Sequence, residues 1–153
     1  MMKAEIGKKE AGGNKMKSFF VVLGVALLIG SISGCTKSQK LSGDYDENEV
    51  KKAAEEVIDL VNAGEYEKLA EEKWNPQLKS ALPAETMVSE VQPVIEELGA
   101  FKSYGDEAVA GSEDKDTEQE FAVAVVKAQY EERKAQYTIT FDKNMKVAGF
   151  FIK

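Results

Sequence analysis

The hydrophobic residues of this chain change period once, near residue 100, and that switch limits the fold more than any other feature. Before Gly99 they recur at helical spacing; after it they alternate as in strands. Val50, Ala53, Ala54, Val57, Ile58 and Val61 predict a helix with one apolar face. Asp46 opens it, Glu49 completes a capping-box pattern, and Gly64 ends it as a C′ residue. A second helix follows from Glu65 to about Lys73, broken at Trp74-Asn75-Pro76. Gln77 to Ala81 forms another turn. Leu82-Pro83 opens a longer helix striped by Met87, Val88, Val91, Val94, Ile95 and Leu98. Pro93 lies inside that stripe and predicts a kink or a division.

Beyond Gly99, Lys102 to Ala110 reads as a weak strand and Gly111 to Gln119 as a charged loop. Glu120 to Tyr130 is a long strand rich in Val and Ala. Ala135 to Phe141 alternates, with Tyr137, Ile139 and Phe141 on one face. Asp142 to Met145 is a turn, in which Asn144 is the residue best suited to positive φ. Lys146 to Ile152 is the last strand. Short turns between these strands predict an antiparallel meander. Helices first and strands afterwards predict an α+β fold, with the N-terminal helices packed on one face of a curved antiparallel sheet of about four strands. Phe150 and Phe151 are consecutive, so one of them points away from the helices, which predicts a second covered face such as a dimer or partner contact.

A different kind of segment precedes this domain. Lys15 and Lys17 are followed by the apolar run Phe19 to Ile32, two small residues and the chain's single cysteine. A basic start, an apolar core and small residues at its end are the parts of a secretory signal. Ile32-Ser33-Gly34-Cys35 resembles the bacterial lipobox. The resemblance implies diacylglycerol on the Cys35 thiol and cleavage before it. It divides the chain into a signal peptide at 1–34, a lipidated Cys35 with a polar tether to residue 45, and a single domain at 46–153. The alternative is an uncleaved anchor, since the uncharged run from Ser18 to Thr36 is just long enough to span a bilayer. Glu5 and Glu10 are foreign to a basic leader, so Met16 is the expected translation start. A diacylglycerol anchor holds a domain at the outer face of the cell membrane without a membrane-binding surface of its own.

Composition narrows the chemistry. The chain has 20 Lys+Arg, 27 Asp+Glu and no histidine. Five of the lysines and two of the glutamates precede Cys35, which leaves a net charge of −10 from Cys35 onward. Such acidity is unsuited to nucleic acid or anionic headgroups. Lack of histidine removes the Ser-His and Cys-His pairs and most zinc sites. With no cysteine after Cys35, no disulfide forms within the domain. Glu113-Asp-Lys-Asp116 with Glu118 and Glu120 is a loose acidic group without the spacing of a calcium loop, so no metal or cofactor is expected. Adjacent acidic pairs such as Glu55-Glu56 and Glu131-Glu132 read as solvated faces.

Four segments then carry a resemblance: Val61 to Leu69 (Val-Asn-Ala-Gly-Glu-Tyr-Glu-Lys-Leu), Ala81-Leu-Pro83, Leu98 to Lys102, and Phe141 to Phe151. In order and spacing they resemble the bacterial domain of unknown function 3887 family, over roughly Glu47 to Ile152. The resemblance implies a nuclear transport factor 2-like cone of helices against a curved sheet, often enclosing a pocket and often behind a lipoprotein signal. It departs at Met145, where a turn glycine is expected. It carries over no catalytic residue. If the fold is conical, Trp74, Tyr104, Tyr130, Tyr137 and Phe141 are the aromatic side chains placed to line its mouth; core packing is the alternative. The expected function is that of a non-enzymatic, lipid-anchored extracytoplasmic domain. It would bind a small apolar ligand or a protein partner at the membrane surface. The alternatives are a structural module that forms a homodimer through its exposed sheet face, and an enzyme using carboxylate and tyrosine groups in a pocket.

Overall fold

The computed structural model describes residues 39–153. The expected signal peptide at 1–34, with Ile32, Ser33 and Gly34, and Cys35, the expected lipid-attachment residue, lie outside the described residues. Among the described residues no helix is long and apolar enough to cross a membrane.

The first helix, α1 (Glu47–Ala63), forms as its sequence directs. Asp46 stays extended, and its Oδ1 accepts from the amides of Asn48 at 2.9 Å and Glu49 at 3.0 Å. Two otherwise unpaired donors are thereby satisfied, and Glu47 and Glu49 complement the helix dipole. Val50, Ala54, Val57, Ile58 and Val61 are buried along one stripe. Gly64 closes the helix at φ 71°.

Two short helices follow, α2 (Tyr66–Glu72) and α3 (Pro76–Ala81). Between them the chain runs beside the last strand. The Asn75 amide donates to the Val147 carbonyl and the Val147 amide to the Lys73 carbonyl, each at 2.8 Å. Asn75 then caps α3, its Oδ1 accepting from the Leu78 amide at 2.8 Å.

The longer helix expected after Leu82-Pro83 is divided, as Pro93 predicts. It begins as α4 (Ala84–Thr86), widens into a π-helical turn over Met87–Val91, and resumes as α5 (Gln92–Leu98) with Pro93 in its first turn. Proline has no amide to donate backward, and the wider turn absorbs the missing bond. Gly99 ends α5 at φ 78°, where a Cβ would lie 3.1 Å from that of Glu131, so glycine is required twice over.

Four strands form an antiparallel meander in the order β1 (Phe101–Glu113), β2 (Glu120–Tyr130), β3 (Lys134–Phe141) and β4 (Val147–Ile152). The first is longer than its sequence suggests. It runs three residues past Ala110 and has register shifts at Phe101/Ser103 and Tyr104/Glu107. Those irregularities blur its alternation and bend the sheet. On the inner face, Ala122, Ala124 and Ala128 of β2 lie opposite Phe141, Ile139 and Ala135 of β3. Small residues on β2 give α1 room to approach while the rings of β3 fill the flanks. A shift between Thr140 and Phe141 lets both Val147 and Phe150 of β4 face inward although three residues apart. Phe151 points outward and is half-buried, opposite Thr138.

The expected tether is partly structured. The Gly111 amide donates to the Gln39 carbonyl at 2.8 Å, on the free edge of β1. Ser42 Oγ donates to Glu120 Oε2 at 3.0 Å, and the Tyr45 hydroxyl to the Glu120 carbonyl at 3.0 Å. Residues 39–45 are thus part of the domain and cover an exposed sheet edge.

Candidate functional site

The aromatic side chains expected at the mouth of a cone form an inner layer instead. Tyr137 is 0 % exposed, Phe141 and Tyr130 1 %, and Trp74 3 %. Trp74 donates from Nε1 to the Leu82 carbonyl at 3.0 Å and packs against Phe150 with centroids 5.6 Å apart and ring planes tilted by 40°. The Tyr130 hydroxyl donates to Asn62 Oδ1 at 2.6 Å, so at 2.5 Å from Tyr137 it accepts that residue's hydroxyl. Tyr104 is half-buried; its hydroxyl lies 2.5 Å from Asp59 Oδ1 and 3.0 Å from the Glu55 carbonyl. Burial pushes the Tyr137 phenol well above its ordinary value, with Tyr130 adding to the effect. Burial and then Asp59 do the same to Tyr104. The polar tips of Trp74, Tyr104, Tyr130 and Tyr137 are hydrogen-bonded, and none of the five residues lines the clefts described below. Their rings occupy the interior that an apolar ligand would need.

The surface clefts among the described residues include three of about 400 Å³. One lies between the start of α2 and α4, around Glu65, Tyr66 and Val88. A second follows the polar side of α1 to Lys73. The third, of about 410 Å³, sits at the turn end of the sheet, on the face away from α1. It differs from the others in one respect. Asn75, Thr140 and Asp142 are the buried polar residues of the described chain, at 8 %, 2 % and 8 % exposure, and all three line this cleft.

Each wall has a local origin. Asn75 and Pro76 stand at the start of α3 because Asn75 caps it. Ser112, Glu113 and Asp114 come from the end of β1, and Gln119 from the same hairpin. That hairpin is closed by the Asp114 carboxylate, which accepts from the amides of Asp116 at 2.8 Å and Thr117 at 3.2 Å. Phe121 and Thr140 project from the outer face of β2 and β3. Asp142 and Asn144 belong to the β3–β4 turn, where Asp142 Oδ1 accepts from the amides of Asn144 at 2.9 Å and Lys146 at 3.0 Å. That turn places Met145, not Asn144, at φ 57°. Asp142 ties down residue 144, and the left-handed position falls on the residue after it.

Thr140 is the exception among these satisfied groups. Its Oγ1 is buried and has no partner among the described residues. A buried hydroxyl left unpaired costs about 1–3 kcal/mol. The electrostatics around it are negative. The neighbouring Tyr45 phenol is pushed up to about 12, by burial first and then by Asp142, Glu120 and Asp44. Carboxylates also lie together near β1: the Glu107 carboxyl is raised by burial and then by Glu55. The three clefts do not open onto that pair. Among the described residues no three acidic side chains converge as a metal site would require. The residues of the turn-end cleft escaped the sequence reading because they come from four separated stretches, near 75, 113, 120 and 141. Thr140 follows an ordinary strand alternation that nothing marks as functional.

Residues 54–150 match the family described as "Protein of unknown function (DUF3887)". No curated protein matches the chain. Among solved structures, the chain is similar to the NMR structure of a protein from Ruminococcus gnavus, with a TM-score of 0.63 at 24 % identity. The match covers 73 % of this chain and 95 % of that one, and at this identity it shows a shared fold.

Proposed function

The chain belongs to the DUF3887 family, and from that premise we propose that it is a lipid-anchored, extracytoplasmic binding module whose ligand is a small polar molecule held in the turn-end cleft. The observation that carries the ligand site is the gathering of Asn75, Thr140 and Asp142 at one opening, with the Thr140 hydroxyl unpaired. Burying polar groups costs stability unless they are hydrogen-bonded. A ligand that donates to or accepts from Thr140 recovers that cost on binding. A volume of about 410 Å³ lies within the range of small-molecule sites, about 300–1,000 Å³, and Pro76 and Phe121 supply apolar wall. The relation to the nuclear transport factor 2-like cone belongs to the same proposal. It is supported by the order of helices and strands and by the bulged sheet.

The anchor reading rests on Lys15 to Cys35. Its consequence is geometric: Gln39 is fixed on β1. Four residues from Cys35 to Gln39 span at most about 14 Å. A diacylglycerol on Cys35 would hold the β1 edge, and the cleft beside it, close to the bilayer. Such a position raises the effective concentration of the module toward anything at the membrane surface.

Native mass spectrometry of the chain released from its host's membranes tests the ligand site. A small bound mass is expected, and it disappears in an Ala148→Trp variant that fills the cleft. The same mass in both proteins, or none in either, refutes the reading.

A second reading has its own observation. The outer face carries Ala108, Ala110, Val123, Val125, Thr138 and Phe151 side by side, without a charge, in a chain whose residues are 31 % charged. Such a patch suits sheet-to-sheet packing in a homodimer. Sedimentation of the wild type beside Val125→Glu tests it, the variant being expected as monomer and the wild type as dimer.

A further inference from the structure

We propose that the turn-end cleft selects an ammonium-bearing small molecule, drawn in by the carboxylates of Glu113, Asp114 and Asp142 that line it. This rests on the reading of that cleft as the ligand site. The lining residues include those three carboxylates and no lysine or arginine. The lysines of the β3–β4 turn are engaged elsewhere. Lys143 is shared between Asp44 at 3.6 Å and Glu120 at 3.5 Å. Lys146 donates to the Glu72 carbonyl at 2.5 Å. A ligand anion would therefore meet carboxylates with no lysine or arginine among the lining residues, whereas a cation meets opposite charge in a partly desolvated opening, where attraction exceeds its value in water. Phe121 lines the cleft and would give a bound cation a cation–π contact. The amide and hydroxyl groups of Asn75, Ser112, Gln119 and Thr140 add acceptors for ammonium protons. A metal cation fits less well, because the described carboxylates do not converge as a metal site requires.

One chemistry has two sources here, a soluble amine or the ethanolamine headgroup of a membrane lipid. The second is within reach if Cys35 is lipidated, because Gly111, where Gln39 docks, directly precedes Ser112 and Glu113.

The test is an amide NMR titration of the full chain in neutral detergent micelles. The probes are ethanolamine, spermidine, glycerol and acetate at equal ionic strength, and bicelles with phosphatidylethanolamine or phosphatidylglycerol. The amines are expected to shift Gln119, Phe121 and Asn144, and glycerol and acetate to leave them in place. Glu113→Gln should weaken amine binding about threefold, and Glu113→Gln with Asp114→Asn about tenfold. Both variants keep the Asp114 Oδ1 acceptor that closes the hairpin. Shifts with ethanolamine in solution assign a free amine. Shifts only with phosphatidylethanolamine bicelles assign the headgroup. Shifts with glycerol or acetate but not with amines overturn the ammonium assignment and leave the cleft as a site for another ligand. No shift with any probe, together with no bound mass by native mass spectrometry, overturns the cleft reading itself.

Discussion

Changing Thr140 to valine should stabilise the ligand-free protein while weakening its hold on ligand. Thr140 is 2 % exposed and its Oγ1 has no partner among the described residues. An unpaired buried hydroxyl costs about 1–3 kcal/mol, and valine preserves the branched shape while removing it. Valine also suits a strand. Taking the lower end of the range, the expected gain is about 1 kcal/mol. For a domain of this size that is a Tm increase of about 4 °C. Urea unfolding should show a higher midpoint with unchanged slope, since neither state changes its exposed surface. A loss of about 1 kcal/mol or more would refute the reasoning, because it would mean that the hydroxyl is hydrogen-bonded in the free protein. Unchanged affinity for the native ligand would separately remove Thr140 from the site. A stability gain coupled to lost binding is the usual behaviour of a group held in place for function.

Other changes test neighbouring parts of the account. Gly111→Ala would place a Cβ against the Lys40 carbonyl and break the Gly111–Gln39 hydrogen bond of 2.8 Å. It should cost about 1 kcal/mol and speed proteolysis before Leu41, leaving the core intact; unchanged cleavage would contradict the docked segment. Glu118 is exposed at φ 56°, so Glu118→Gly should raise stability by about 1 kcal/mol in thermal unfolding, and a loss would show that its side chain does more than the strain costs. Alkaline pH should unfold the protein early. Tyr45, Tyr104 and Tyr137 ionise in the folded state above their ordinary value of about 10. The unfolded chain therefore releases those protons first, and stability is fully present below about pH 10 and falls as pH rises beyond it. Urea midpoints at about pH 9 and about pH 11, read beside phenolate absorbance, check the sign; an equal midpoint at both would contradict it.

Much of the fold is legible where local chemistry decides it. Asp46, Gly64, Pro76 and Pro93 each act within a few residues of where they stand, and each marks a boundary the structure keeps. Strict alternation from Ala135 to Phe141 likewise fixes which face of β3 is buried. The sequence is weaker where a strand is irregular. β1 has two register shifts, so Tyr104 and Glu107, three apart, are both on the inner side and period two is lost. Met145 takes the left-handed position because Asp142 organises the turn, a preference set by the Asx geometry and not by residue 144 alone. The docking of residues 39–41 depends on the missing side chain at Gly111, seventy residues away. The cleft was invisible for the same reason: its chemistry is assembled by tertiary structure from residues that look like caps, turns and strand positions. The aromatic residues show the converse. Trp74, Tyr130, Tyr137 and Phe141 stand out in the sequence, but their bulk is what fills the core.

The proposed tether at Cys35 holds the cleft near the bilayer. Intact mass spectrometry of the chain extracted from its host's membranes, beside a Cys35→Ala variant, tests it most directly. A tethered domain gives a polypeptide that begins at Cys35 and is heavier by a diacylglycerol, a species missing from the variant. An unmodified polypeptide that retains residues before Cys35 would contradict it.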